Sequence, residues 1–123
     1  MNDVKGTFVI RLHHAERAGL HHDLHLNGET WAIRKGVPTK PNTKVLAIKT
    51  AYHTPGEARF TGTIPKGQYG AGESEVIDEG EMTTIERTPN KLFFNLQGDL
   101  YRGNYILIKT PRYGNKAWLL MKQ

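Results

Sequence analysis

The chain has 123 residues, of which 37% are hydrophobic and 24% charged, with 17 Lys and Arg against 12 Asp and Glu for a formal net charge of +5. That length predicts one domain over residues 1–123, and the basic balance favours a polyanionic partner such as nucleic acid. There is no cysteine, which excludes disulfides, zinc–thiolate sites, iron–sulfur clusters and cysteine nucleophiles, so any metal must be held by histidine, carboxylate and water.

In chain order, residues 7–12 and 20–26 alternate as strands do. Asn27-Gly28 is a hairpin-turn dipeptide, and residues 30–34 return from it. Residues 36–43 lack apolar periodicity and are expected to form a surface loop. Further strands are expected over 44–49, 60–64, 74–78, 81–86, 91–96, 104–109 and 117–121, ten in all, with single helical turns at 14–18 and 56–59. Ten short strands with Gly and Pro at the joints point to an all-β antiparallel barrel or sandwich, and a closed barrel also removes exposed edges. No apolar run approaches the roughly 20 residues of a membrane span. The N-terminus has no basic segment leading into an apolar stretch, so a cytoplasmic protein without a membrane role is expected.

Five of the six histidines fall between positions 13 and 25: His13, His14, His21, His22 and His25, with His53 apart. On a strand His21, Asp23 and His25 share one face at intervals of about 7 Å, while His22, Leu24 and Leu26 share the other. His13, at the end of the preceding strand, converges on the same place if the two strands pair. Two imidazoles and a carboxylate suit Mn²⁺, Fe²⁺ or Zn²⁺ with open positions for substrate oxygen. Spacing alone leaves a solvated strand face open as the other account of the cluster.

Elsewhere, the run from Gly67 to Gly72 lacks the Lys-Ser/Thr ending of a phosphate loop and is expected to be a tight turn. Trp31 and Trp118 read as core. Tyr69 and Tyr101, beside glycines, read as exposed residues that can touch a nucleotide. Lys35, Lys44, Lys49 and Lys66 are candidates to line a phosphate path. Ser74, the only serine, lacks a nucleophile context.

The stretches Phe8-Val9-Ile10-Arg11-Leu12-His13-His14-Ala15, Leu20-His21-His22-Asp23-Leu24-His25-Leu26, Trp31-Ala32-Ile33-Arg34-Lys35-Gly36, His53-Thr54-Pro55 and Phe60-Thr61-Gly62-Thr63-Ile64-Pro65-Lys66-Gly67-Gln68-Tyr69-Gly70-Ala71-Gly72 occur in this order. Together with the closing Trp118-Leu119-Leu120-Met121-Lys122, they resemble the 3′-phosphoesterase domain joined to bacterial ATP-dependent DNA ligases of non-homologous end joining, and its free-standing archaeal and bacterial relatives. The resemblance implies a small β-barrel of about eight to ten strands with a polar groove, and a manganese-dependent hydrolase. Such an enzyme removes a 3′-terminal ribonucleoside and then the remaining 3′-phosphate, leaving a 3′-hydroxyl. By motif position it implies His13, His21 and Asp23 as Mn²⁺ ligands and His53 at the scissile phosphate. Arg11, Lys35 and Lys66 are the phosphate-binding candidates. The substrate implied is a DNA or RNA-tipped DNA 3′ end, met by a monomer, and the ends of the sequence favour a free-standing protein acting with a separate DNA ligase.

Several positions depart from the pattern. His25 stands where the family usually has Arg, Arg11 where it often has Gln, Glu57 near a usual Tyr, and Val45 where an Arg often follows Lys44. The spacing from His13 to His21 is two residues longer than usual, and little sequence precedes the first motif. The expectation is that His25 takes over phosphate contact, with activity falling as pH rises through its titration. Two other functions fit parts of the pattern: a nucleic-acid end-binding module with weakened catalysis, and an Fe(II) oxygenase using His21, Asp23 and His53 as a facial triad.

Overall fold

The computed structural model describes residues 4–68 and 70–123. Among them nine strands form one antiparallel sheet: β1 (Val4–Ala15), β2 (Gly19–Leu26), β3 (Glu29–Ile33), β4 (Lys44–Thr50), β5 (Gly62–Ile64), β6 (Gly72–Thr88), β7 (Lys91–Gln97), β8 (Arg102–Lys109) and β9 (Ala117–Lys122). The order is β1-β2-β3-β4-β9-β8-β7-β6, and β6 pairs back onto β1, so eight strands close a barrel and β5 is added outside on β6. Among the described residues helix is confined to one turn, α1 (Pro55–Ala58), and a 3-10 turn at Pro111–Tyr113. No described helix is long and apolar enough to cross a membrane.

The barrel interior follows from period-2 alternation. Phe8 and Ile10 of β1, Leu24 and Leu26 of β2, and Trp31 and Ile33 of β3 point inward, meeting Phe94, Leu96, Tyr105 and Leu107 from the far wall. Trp31 and Trp118 meet edge to face at 5.8 Å, as expected of core residues. Tyr101 is not the exposed residue its neighbouring glycine suggested. It is buried against the core, with its ring perpendicular to that of His22. Tyr69 lies outside the described residues.

Two expectations are corrected. Residues 74–78 and 81–86 belong to a single strand, β6, so nine strands stand where ten were counted. Gly80, in the gap between the two expected strands, stays paired with Phe8. Its missing side chain admits the Gln97 carbonyl, which a Cβ would strike. Residues 14–18 form no helical turn, because β1 continues to Ala15, held on one side by β2 and on the other by β6. The Asn27-Gly28 hairpin forms as expected, with φ of 54° and 99°.

At the foot of the hairpin turn, Glu29 of β3 ties three strands together. Its carboxylate accepts from Arg87 of β6 at 2.6 and 2.7 Å and from Lys49 of β4 at 2.7 Å. These bonds, Arg87 foremost, hold its pKa down to about 2 against the opposing effect of burial. A depressed carboxyl pKa adds stability that is present above the unfolded-state pKa and lost as pH falls through the folded one. In urea unfolding, wild type should exceed Glu29→Gln by on the order of 1 kcal/mol near neutrality. The gap should close as pH falls from about 4.5 to about 2. A pH-independent gap would show that the charge contributes nothing.

Candidate metal and phosphate site on the barrel wall

The strand alternation that fills the barrel sends Val9, Arg11 and His13 of β1 and His21, Asp23 and His25 of β2 to its outer wall. Register places His13 opposite His21, Arg11 opposite Asp23 and Val9 opposite His25. Where Arg11 enters, the β1–β6 pairing shifts by one residue: Ile10 faces Asp78 and Arg11 faces Val76, leaving Ile77 over. Such a bulge re-aims side chains locally. Although on the outer wall, Arg11, His13, His21, Asp23 and His25 are all buried. The segment carrying α1 and β5 folds over them and leaves a groove of about 1340 Å³ lined by Arg11, His13, His21, Asp23 and His53 among others.

The ring nitrogens have defined roles. His21 Nδ1 lies 3.0 Å from the Gly19 carbonyl and His13 Nε2 lies 2.7 Å from the Gly70 carbonyl. A carbonyl only accepts, so these nitrogens carry hydrogen. Gly70 holds its carbonyl there with a φ of 76°, which favours glycine. The opposite nitrogens then point at one carboxylate: His13 Nδ1 to Asp23 Oδ2 at 3.1 Å and His21 Nε2 to Asp23 Oδ1 at 3.2 Å. In neutral rings these are lone pairs aimed at an anion, an arrangement that needs a cation or extra protons between the groups. Burial drives the Asp23 pKa up, but hydrogen bonds from His13 and His21, with the nearby positive charge, outweigh it and hold the carboxyl well below the usual range. The hydrogen bond to Asp23 raises the pKa of His21. Ligand atoms of His13, His21 and Asp23 all lie within 4.8 Å of one another. Two imidazole nitrogens, a carboxylate, and backbone carbonyls fixing both rings are the donor set and outer support of a divalent transition-metal site, so the residues fit such an ion.

Arg11 lies beside this cluster. Its Nε donates to His25 Nε2 at 3.0 Å, one terminal nitrogen donates to Ser74 Oγ at 3.2 Å, and the other lies 3.6 Å from Asp23 Oδ2. His53 follows the segment packed on the hairpin: its backbone N–H donates to the Gly28 carbonyl at 2.8 Å. Its Nδ1 lies 2.9 Å from the Ala51 carbonyl and 3.1 Å from Thr30 Oγ1. Thr54 and Glu57 exchange backbone-to-side-chain hydrogen bonds in a capping box at the start of α1, which accounts for Glu57 at this position.

The structure separates the expected site residues. His25 does not reach the groove. It is 1% exposed, its Nε2 accepts from Arg11 and its Nδ1 lies 2.7 Å from Thr30 Oγ1, so no ring nitrogen remains for phosphate. Burial, reinforced by the Arg11 charge, pushes its pKa down to about 3. Lys35 and Lys66 are exposed and do not line the groove, nor does Lys44; Lys49 is taken by Glu29 and the face of Trp31. His14 is exposed, and His22 accepts from the Val37 N–H at 2.9 Å. The oxygenase triad is not assembled, since His53 packs on His25 while His13 completes the cluster. Arg34, Arg17 and Thr30 were not anticipated. Arg34 and Thr30 lie in phase with Ala32, the β3 residue opposite Asp23, so the register would have found them.

Residues 11–109 match the family described as the DNA Ligase D 3′-phosphoesterase domain. The multifunctional non-homologous end joining protein LigD of Mycobacterium bovis is 38% identical over 112 residues, covering 85% of this chain and 14% of that protein. The Pseudomonas aeruginosa protein of the same name is 35% identical over 125 residues, covering 94% of this chain and 15% of its own length. That of Mycolicibacterium smegmatis is 35% identical over 127 residues, covering 91% and 16%. The chain thus spans only a small part of these multifunctional relatives. It belongs to the DNA ligase D 3′-phosphoesterase domain family.

Proposed function

We propose that this protein is a metal-dependent phosphoesterase that processes DNA 3′ ends for end-joining repair, with Mn²⁺ as the ion and a separate ATP-dependent DNA ligase as the user of its product. The observation that carries the proposal is the pair of imidazole lone pairs turned on the buried Asp23 carboxylate. Family membership supports the same chemistry. The substrate is a primer–template 3′ end, taken by a monomer in two hydrolytic steps. In the first, water adds to phosphorus and the bond to the terminal ribonucleoside breaks, leaving a 3′-phosphate. In the second, that phosphate is released and a 3′-hydroxyl remains.

His13, His21 and Asp23 would hold the ion, which when bound supplies Lewis-acid charge to the non-bridging phosphate oxygens. Arg11, fixed beside Asp23, presents a permanent cation to the same oxygens. His53 keeps Nδ1 toward the Ala51 carbonyl, and its Nε2 has no protein partner among the described residues. In its imidazolium form His53 donates that proton to the leaving oxygen. Loss of the usual Arg at position 25 therefore does not favour a merely end-binding module, because a guanidinium enters the site from the neighbouring strand.

The groove wall is nearly balanced in charge, with Arg11, Arg17 and Arg34 against Glu16, Asp23 and Glu57. A divalent ion held by His13, His21 and Asp23 would offer a terminal phosphate oxygen a direct ligand, where protons on the rings would offer only charge. Affinity for an oligonucleotide ending in 3′-phosphate should therefore rise on the order of tenfold when Mn²⁺ replaces EDTA, and fall as salt is raised. Fluorescence anisotropy checks this; equal affinity in both conditions would contradict it.

A 5′-labelled primer with one 3′-terminal ribonucleotide should be shortened to a 3′-phosphate and then to a 3′-hydroxyl in Mn²⁺, and stay intact in EDTA. His13→Ala and Asp23→Ala should abolish both steps, and Arg11→Ala should slow them by about 10²- to 10³-fold. Cleavage that persists in EDTA, or in Asp23→Ala, would overturn the proposal.

A further inference from the structure

His25 sits beneath the groove wall, and its surroundings admit one assignment of hydrogens. The Arg11 Nε–H can only donate, so His25 Nε2, 3.0 Å away, accepts. A neutral imidazole with an accepting Nε2 carries its hydrogen on Nδ1, which lies 2.7 Å from Thr30 Oγ1. The Thr30 hydroxyl proton goes to the Gly28 carbonyl at 3.1 Å, leaving Oγ1 to accept from His25 and, at 3.1 Å, from His53 Nδ1. Donation therefore runs from Arg11 to His25 to Thr30, and His53 donates to the same Thr30 oxygen from the other side, so every member across β1, β2, β3 and the segment after β4 is satisfied.

We propose that His25 is a positioning residue: held as the Nδ1–H tautomer, it pins the Arg11 guanidinium and links it through Thr30 to His53. The pinning matters because of what lies on the other side. One terminal nitrogen of Arg11 stands 3.6 Å from Asp23 Oδ2, beyond a hydrogen bond. With its Nε held by His25 and a terminal nitrogen held by Ser74, the guanidinium stays beside the carboxylate without closing on it. Without the His25 acceptor, a buried guanidinium with an unpaired Nε–H turns toward Asp23 and competes for the carboxylate oxygens that face His13 and His21. His25 thereby keeps Arg11 available to an anion in the groove and Asp23 available to a cation. Thr30 sets the tautomer, and the Gly28 carbonyl sets Thr30.

The test uses the intact protein without metal. In ¹⁵N NMR of the imidazoles, His25 should show a protonated Nδ1 and an unprotonated Nε2, with a coupling across the hydrogen bond between Arg11 Nε and His25 Nε2. A protonated Nε2 in His25, or no such coupling, would overturn the proposal. A second arm rests on the phosphoesterase function. His25→Ala should lower kcat/KM by about 10- to 100-fold, the cost typical of removing an outer support of a site. His25→Gln, which restores an acceptor for Arg11, should recover most of that loss. A His25→Gln variant that folds and is no better than His25→Ala would also contradict the proposal. The arms separate the two ideas: an inactive protein with the stated tautomer refutes the phosphoesterase function alone, whereas an active protein with the other tautomer refutes the role of His25 alone.

Discussion

Two imidazoles and one carboxylate, buried together and oriented by backbone carbonyls, cannot rest with all their lone pairs facing one another. His13 Nε2 and His21 Nδ1 are committed to Gly70 and Gly19, so the nitrogens facing Asp23 have no hydrogen of their own in neutral rings. Positive charge must enter the gap, either as a proton on each ring or as one divalent ion. The two are alternatives, and this is the general reason that metal affinity at such sites depends on protons. The groove, the covering segment and the buried Arg11 are arranged around that requirement.

The barrel supplies the rigidity. His13 and Arg11 lie on β1, which is paired along its length with β6 and from Phe8 onward with β2, while Asp23 and His21 lie on β2 between β1 and β3. Residues on central strands of a closed sheet are held more tightly than residues on loops. The inner face of the same strands carries Phe8, Ile10, Leu24 and Leu26, so each inward apolar residue that fixes the wall also fixes its outward polar neighbour. The covering segment, with α1, β5 and the turn carrying Gly70, reaches the site from outside the barrel strands, and Glu16, Arg17 and Ala18 of the β1–β2 turn join it at the groove.

Much of this was legible in the sequence. Alternation placed His21, Asp23 and His25 on one face, and a single antiparallel pairing brought His13 to them; Asn27-Gly28 announced the hairpin on which the His53 segment packs. What alternation cannot show is depth. His25 shares the face of Asp23 but lies under the covering segment, so a residue expected to meet phosphate is instead an acceptor beneath Arg11. The strand count missed by one because Gly80 is a site of close backbone approach rather than a turn, and spacing does not distinguish these. Lys35 and Lys66 carry the right charge, but charge along the chain says nothing about direction, and the groove takes Arg34 and Arg17 instead.

The most direct test of the central claim is Mn²⁺ titration of the purified protein, followed by electron paramagnetic resonance and calorimetry. One ion per chain should bind to the wild type, and Asp23→Asn, with an unchanged amide spectrum, should lose that site. Binding that survives Asp23→Asn, or no bound ion in a wild-type protein whose His13 and His21 rings both prove doubly protonated, would contradict the account.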